Sequence, residues 1–331
     1  MQAFEPQFIT VVMPALNEEG YIADAIASLL VGMKTLDYEL LVLDGGSTDR
    51  TCEVVENLAK SNQHIKLVHN PRRTQSAAMN IAAEVCDPRS TVLVRADCHA
   101  IYPPRFVENC ASSLVTNDCA SVVVSMNAIG RTPLQRAIAA AQNSRIGNGG
   151  SRHRRVSASG YVDHGHHAAF DRKVFRSLGG YDESAPFNED AEFDARLIRA
   201  GGRIYLDGPL TINYYPRTSF SSLARQYYRH GWGRANTLLK QSMRPKVRQV
   251  LPVIALMTVV FGLVAWPLIG PAAILPAAAY LGLCIGWGML LAVRTRQLEL
   301  ALSGPAAIAM HMSWAAGFLT RVSGARAPAT R

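Results

Sequence analysis

Between residue 8 and about residue 125, short β-rich runs alternate with helical stretches. No other feature restricts the possible folds as strongly. The β-rich runs lie at 9–13, 39–43, 65–68, 91–95 and 121–124, with helical stretches at 21–31, 50–60, 74–85 and 104–114. Strands that alternate with helices predict an α/β domain with a mostly parallel central sheet covered on both faces. Ligands of such sheets sit at the carboxyl ends of the strands. The chemistry-bearing residues of this chain fall there: Asn17, Glu18 and Glu19 after the first run, Asp44 to Asp49 after the second, and Asp97 to His99 after the fourth.

Residues 126–162 read as less regular, and 145–155, rich in Gly, Ser, Asn and Arg, reads as a mobile loop. A second block, 162–215, reads as a strand, a helix, an acidic loop, a helix and short strands. A basic helix follows at 219–241. Then the character of the chain changes, because 250–270 and 272–293 carry no charged residue. Each is long enough to cross a hydrocarbon core of ~30 Å as a helix. Gly270 and Pro271 turn one into the other, which predicts a transmembrane hairpin that tolerates Pro267 and Pro276. A third apolar stretch, 300–319, contains His311 and Ser313 and reads equally as a span or an interfacial helix. The expected division is a catalytic domain over 1–235, a basic interfacial linker over 236–249 and a membrane region over 250–331.

Charge supports that division. The net charge is +9, and 217–248 alone holds Arg217, Arg225, Arg229, Arg234, Lys240, Arg244, Lys246 and Arg248 with no acid. Such a belt seeks anionic lipid, phosphate or nucleic acid. Beside two apolar spans it predicts a cytoplasmic face, and Arg294 and Arg296 agree. A third span would carry Arg321, Arg326 and Arg331 outside, against that rule. The six cysteines are scattered without zinc or Cys-x-x-Cys spacing, which fits a reduced, cytoplasm-facing protein. Glu5 interrupts the short apolar opening, so no signal peptide is expected.

Each motif supports two readings. Asp97, at the end of a buried strand, either binds a cation or caps the next helix. Beside a nucleotide diphosphate that cation would be Mg²⁺ or Mn²⁺, with His99 favouring Mn²⁺. Asp44, Gly45, Gly46 and Ser47 form a turn in which Asp44 could meet a base or ribose, or which simply caps a helix through Ser47 or Asp49. Asn17 reads as an N-cap. Arg72 and Arg73 precede a helix and either hold phosphate or face solvent. Glu189 and Asp190 suit a helix start through its dipole, and Asp190 also suits a general base for a sugar hydroxyl. Strand alternation would put His164 and His166 on one face, as ligands of a metal or acceptor or as hydrogen-bonded core histidines. Gln226, Arg229 and Trp232 share a helix face. Arg229 could meet a diphosphate and Trp232 a sugar, or both could anchor the helix in a headgroup layer.

The order and spacing of these motifs, over about residues 8–235, resembles the family-2 glycosyltransferases with the GT-A fold. The set comprises Pro14 to Glu19, Leu43 to Thr51, Ala96 to His99, Asn188 to Asp190, and Gln226 with Arg229. The runs Val162 to Phe170 and Arg229 to Arg234 look like the succinoglycan-biosynthesis glucosyltransferases of bacterial exopolysaccharide assembly. The resemblance implies a GT-A-type nucleotide-sugar-binding domain followed by C-terminal transmembrane helices. Pro14, Asn17, Glu19, Asp44, Arg73 and Asp97 would bind the nucleotide sugar. Asp97 and His99 would stand at the family's Asp-x-Asp metal motif, where His99 departs from it. Asp190 would be the base of an inverting transfer. Glu189, His166, Gln226, Arg229 and Trp232 would serve the acceptor or diphosphate, Trp232 being two residues displaced from the family's Gln-x-x-Arg-Trp.

The expected activity is transfer of one sugar, with UDP-glucose the favoured donor, onto a polyprenyl-diphosphate-linked saccharide at the bacterial inner membrane. Other exopolysaccharide assembly enzymes and membrane lipids are the expected partners, and nucleic acid is not. A processive polysaccharide synthase is the enzymatic alternative. A nucleotidyltransferase lacks support, since no Gly-rich triphosphate loop with Lys or Arg lies near the first strand. A basic membrane-associated binding protein without catalysis is the alternative of another class.

Overall fold

The computed structural model describes residues 8–33, 36–150 and 158–325. The chain divides into two compact units, each described by itself. The first comprises described residues of 1–127, 155–184 and 189–214; the second, those of 128–154, 185–188 and 215–331.

In the first unit, β1 (Ile9–Ala15), α1 (Ile22–Leu29), β2 (Tyr38–Asp44), α2 (Thr51–Ser61), β3 (Ile65–His69), α3 (Gln75–Val85) and β4 (Val92–Arg95) follow the predicted alternation. They continue into β5 (Ala100–Ile101), α4 (Phe106–Thr116) and β6 (Ser121–Ala128). β1 and β2 are buried almost throughout, as continuous apolar runs require when both sheet faces are covered. The buried Glu39 on β2 is tolerated because its carboxylate accepts hydrogen bonds from Thr10 Oγ1, the Asp87 amide and Lys66 Nζ at 2.9, 2.7 and 2.9 Å.

β1 pairs in parallel with β2 on one side and with β4 on the other, and β2 pairs in parallel with β3. The chain therefore runs outward from β1 to β3 and then returns across β1. This reversal opens a crevice at the carboxyl ends of β1 and β4. Beyond β4 the sheet turns antiparallel, through β7 (Gly160–Val162), β8 (His166–Asp171) and β9 (Ile204–Tyr214). Its order is β3-β2-β1-β4-β8-β6-β9-β5, with β7 on β9. The short strands expected near 204–214 are one 11-residue strand.

Two helices of this half position the site: α7 (Arg172–Ser177) follows β8, and α8 (Glu189–Arg199) begins on Glu189 and Asp190. An apolar core with Phe170, Phe175, Tyr181 and Phe193 lies beneath them.

The second unit is helical. The irregular reading of 126–162 missed α5 (Pro133–Asn143), which a Thr132–Gln135 capping box and Pro133 start. A short turn, α6 (Arg145–Asn148), follows; the rest of the expected mobile loop, at 151–155, lies outside the described residues. α9 (Phe220–Lys240) matches the predicted basic helix. It clusters with the C-terminal helices, so the compact units are not divided near 235. The apolar region folds as α10 (Val247–Ile269), a 3-10 turn at Gly270–Ile274, and α11 (Leu275–Thr295). Val247–Thr295 is the stretch long and apolar enough to cross a membrane among the described residues.

α12 (Ser303–Val322) holds the third apolar stretch and packs on α9 through small residues. A Cβ at Gly231 would collide with the Trp314 carbonyl, and one at Gly317 with the Tyr228 carbonyl. Gly231→Ala is expected to force the two helices apart and destabilise the unit by about 1–3 kcal/mol. Thermal unfolding of the purified protein would show it, and an unchanged melting temperature would contradict it.

Candidate active site

The rim of the crevice is two loops locked together. Asn17, held at φ 56°, accepts the Thr48 amide on Oδ1 at 2.8 Å, and its own amide donates to Ser47 Oγ at 2.9 Å. The Glu18 amide donates to Thr51 Oγ1 at 2.8 Å. Glu19 Oε2 accepts the Arg50 amide at 3.0 Å. Asn17 is thus no cap for α1; it fastens the β1–α1 loop to the β2–α2 loop. Asp44 likewise turns inward, accepting the Gly46 and Ser47 amides at 2.8 and 3.1 Å. Burial alone would raise its carboxyl; hydrogen bonds from Ser47 and Gly46 override this and hold it below the ordinary range. Neither expected cap stands at the start of α2: the N-cap is Arg50, without a capping side chain, and Asp49 just before it accepts the Thr51 amide at 3.0 Å.

A cleft opens inside this rim. It is lined by Pro14, Glu18, Asn70, Arg73, Thr74, Gln75, Asp97, Cys98 and His99, among others. Pro14, Arg73, Asp97 and His99 were expected there, and Glu18 was among the acids expected at the strand ends; Asn70 and Gln75 were not. Gly46, at φ 86°, lets the Arg73 guanidinium lie against the turn, since a Cβ there would sit 3.3 Å from Arg73 Nη2. Tyr102 pins the turn after β4, its hydroxyl accepting the Asp97 amide at 2.5 Å and donating to the Asp97 carbonyl at 3.1 Å. Cys98 Sγ reaches the Pro14 carbonyl at 3.2 Å, tying the ends of β1 and β4.

Asp97 is the most heavily engaged carboxylate of the cleft. Gln75 Nε2 donates to Oδ1 at 3.1 Å, Arg95 Nε lies 3.6 Å from Oδ1, and His166 Nε2 lies 3.3 Å from Oδ2. Burial would raise this carboxyl; Arg95 first, then His166 and His99, hold it well below the ordinary range. Arg95 is itself buried, and its Nη1 also reaches Tyr181 Oη at 3.3 Å and Glu189 Oε1 at 3.5 Å. Despite burial, the surrounding Asp97, Tyr181, Glu189 and Asp190 raise its affinity for its proton. The Glu189 carboxyl is pushed up by burial, with Asp190 adding to the push. Asp190 is half-buried, and its Oδ1 accepts the Ala191 amide at 2.7 Å. The start of α8 and the end of β4 thus converge on one guanidinium.

The histidines divide differently from the alternation expected of them. His166 alone goes to Asp97. His164 lies before β8, and it shares Asp194 with His167, each imidazole 2.8 Å from one carboxylate oxygen. Burial would raise the Asp194 carboxyl; His167 and His164 bring it below the ordinary range. Its stabilising contribution is therefore present above the ordinary aspartate range and lost as pH falls through it. Asp194→Asn turns an amide N–H towards one of two imidazole donors. It is expected to cost about 1–3 kcal/mol near neutral pH. That deficit should shrink below the ordinary aspartate range; a deficit in urea unfolding that is equal at neutral and acid pH would contradict the assignment.

Two residues lining this cleft carry metal-ligating chemistry, the Asp97 carboxylate and the His99 imidazole. His99 Nδ1 lies 3.5 Å from Glu18 Oε1. Among the described residues no group of three or more His, Cys, Asp or Glu gathers for a metal. The set therefore fits an open site that diphosphate oxygens would complete, not a closed protein cage.

In the second unit, Trp232 is 5% exposed, its ring edge-on to Phe187 at 6.2 Å and under the Arg321 guanidinium at 5.4 Å. Packing against α12 makes it core, so it offers no open face for sugar stacking. Arg229 lies 5.3 Å over the Phe187 ring and Gln226 is half-buried on the same helix. Burial, then Arg225 and Arg217, lower the Arg229 guanidinium's hold on its proton.

The mixed sheet, with its crevice at the β1–β4 reversal, is the GT-A glycosyltransferase fold. The mannosyltransferase PcManGT from Pyrobaculum calidifontis, solved with GDP-Man and Mn²⁺, shares it at TM-score 0.60 and 18% identity, covering 96% of this chain and 88% of that one. GalNAc-T7, solved with UDP, GalNAc and Mn²⁺, shares it at TM-score 0.51 and 15% identity, covering 64% and 43%. The sequence matches glycosyl transferase family 2 over residues 10–179 and glycosyl transferase family group 2 over 97–293, and the chain belongs to this family of glycosyltransferases. It is 38% identical over 308 residues to the succinoglycan biosynthesis protein ExoA of Rhizobium meliloti (strain 1021), covering 93% of each chain. It is 25% identical, over 68% of this chain and 72% of the other, to a dolichyl N-acetyl-alpha-D-glucosaminyl phosphate 3-beta-D-2,3-diacetamido-2,3-dideoxy-beta-D-glucuronosyltransferase of Methanococcus voltae.

Proposed function

We propose that this glycosyltransferase adds one sugar, with inversion, from UDP-glucose to a polyprenyl-diphosphate-linked saccharide in assembly of a succinoglycan-like exopolysaccharide. The observation that carries the reading is the convergence of Asp97 and the Glu189–Asp190 helix start on Arg95, beside the cleft. Asp97 and His99 would hold Mg²⁺ or Mn²⁺, which neutralises charge on the departing diphosphate when bound. Pro14 and Arg73 line the nucleotide end of the cleft, while Asn17, Glu19 and Asp44 hold its rim in shape. Asp190 accepts the proton of the acceptor hydroxyl as that oxygen bonds to the anomeric carbon, and the bond from that carbon to the diphosphate breaks, releasing UDP. His166 and Glu189 keep the carboxylates in place around the reacting groups. In its own unit, Arg229 is a half-buried cation among like charges, which suits an anionic diphosphate.

The lipid acceptor is supported by α10 and α11, which expose Leu251, Val264, Leu268, Leu283 and Val293. Exposed apolar helices beside Lys240, Arg244 and Lys246 suit a bilayer whose cytoplasmic headgroups are anionic. We assign the protein to the bacterial inner membrane with its catalytic unit in the cytoplasm, alongside other exopolysaccharide assembly enzymes. Membranes containing the protein, incubated with several UDP-sugars and defined lipid-linked acceptors, should yield an acceptor extended by one hexose from UDP-glucose. Long polymers would instead identify a processive synthase, and transfer from another donor would revise the sugar.

A further inference from the structure

A continuous chain of buried polar groups runs behind Arg95. Arginine can only donate, so Arg95 Nη1 gives its proton to Tyr181 Oη at 3.3 Å. The Asp194 carboxylate can only accept, so His167 Nε2 donates to Asp194 Oδ1 at 2.8 Å. In the neutral imidazole Nδ1 is then the acceptor, and the Tyr181 hydroxyl donates to it at 2.6 Å. His164 Nδ1 donates to the other oxygen at 2.8 Å. The chain runs from a guanidinium to a carboxylate, while Arg95 Nε, 3.6 Å from Asp97 Oδ1, makes no hydrogen bond of its own. Its members come from β4, the segment before α8, β8 and α8 itself. Asn80 on α3 clasps the Tyr181 backbone from both sides, its Oδ1 accepting the Tyr181 amide at 2.8 Å and its Nδ2 donating to the Tyr181 carbonyl at 2.9 Å. The Tyr181 ring is gripped by Phe170, Phe175, Phe193 and His167.

A fully buried guanidinium with partners at 3.3 to 3.6 Å is held loosely by each of them. Of these partners, Tyr181 is the one whose backbone is clasped by Asn80 and whose ring is enclosed by aromatic side chains, so it offers the guanidinium a firm reference point. We propose that Tyr181, backed by His167 and Asp194, is a positioning residue for catalysis: it fixes the Arg95 guanidinium, which in turn sets the first turn of α8, with Asp190, against Asp97. The inference rests on the reading of Asp190 as the base, yet it can fail separately.

Tyr181→Phe removes one oxygen and keeps the ring. It should lower kcat by roughly 10-fold while the donor KM stays within about 2-fold, because the lost geometry matters in the transition state and not in donor binding. Amide exchange of residues 189–193, the start of α8, should quicken, with the rest of the first unit unchanged. Arg95→Lys should lower kcat further, since one ammonium cannot hold Tyr181, Asp97 and Glu189 together. In that background Tyr181→Phe should have no additional effect, which a residue stabilising the fold independently would not reproduce. Losses that multiply in the double variant would overturn the inference, as would a Tyr181→Phe enzyme with unchanged kcat and unchanged exchange at 189–193. If Arg95→Lys does not fold, the kcat-against-KM split and the local exchange of Tyr181→Phe decide alone. Full activity of Asp190→Asn would sink the assignment of the base, whereas multiplying losses beside an inactive Asp190→Asn would sink only the role of Tyr181.

Discussion

Asp190→Asn is expected to lower kcat by ~10²–10⁴-fold, the range that general-base catalysis supplies. The amide is nearly isosteric and can still accept the Ala191 amide that Asp190 Oδ1 accepts at 2.7 Å, so α8 should start as before. What disappears is a group able to take a proton from the acceptor hydroxyl. Donor binding should survive, because the cleft that holds the nucleotide is lined from β1, β2, α3 and the turn after β4, without Asp190. The measurement is initial-rate transfer alongside UDP-sugar binding by calorimetry. Activity within a few-fold of wild type would remove Asp190 as the base; loss of donor binding as large as the loss of rate would place it in binding instead.

Asp97→Ala should have the second large effect, on two readouts at once. The substitution leaves Arg95, Gln75 and His166 facing a void where a carboxylate stood. Breaking a buried ion pair by removing one partner costs about 3–5 kcal/mol. With Arg95 still paired to Glu189 and Asp97 not wholly enclosed, the lower end is expected here. Thermal unfolding checks this directly. Calorimetry with UDP-glucose, with and without Mn²⁺, checks the other half: wild-type affinity should fall when EDTA removes the ion, and the variant should be weak in both conditions. Affinity indifferent to both EDTA and the substitution would mean that Asp97 serves only to balance Arg95.

The parallel half of the sheet was legible because its physics is local. Runs such as Leu40 to Leu43 are apolar throughout, and their short length within a regular alternation with helices reads as buried strand. α5 escaped notice because its start signal, Thr132, Pro133 and Gln135, stands within a stretch otherwise read through its Gly, Ser and Arg content. In the site, Asp97 and Asp190 were visible as acids at element ends. Arg95 was the missed centre, although a cation closing an apolar strand two residues before an acid, and so on the same face, is an available cue. Tyr181 and Asp194 had no such cue, since a tyrosine and a second helix acid acquire meaning only when β8 and α8 are brought together. Trp232 was misjudged for a related reason: helix periodicity gives the face, but Arg321 on α12, which lies over its ring, is about ninety positions away.

The fastening of the β1–α1 loop to the β2–α2 loop bears on how a donor is chosen. Asn17, Glu18 and Glu19 are bound to Ser47, Thr48, Arg50 and Thr51 by hydrogen bonds within the chain itself. The two loops are thereby joined into one lip at this side of the cleft. On the proposed reading, a nucleotide bound there would lose little affinity to ordering the protein. A base of the wrong outline would gain little from loop adjustment, which would make discrimination a matter of fit on arrival.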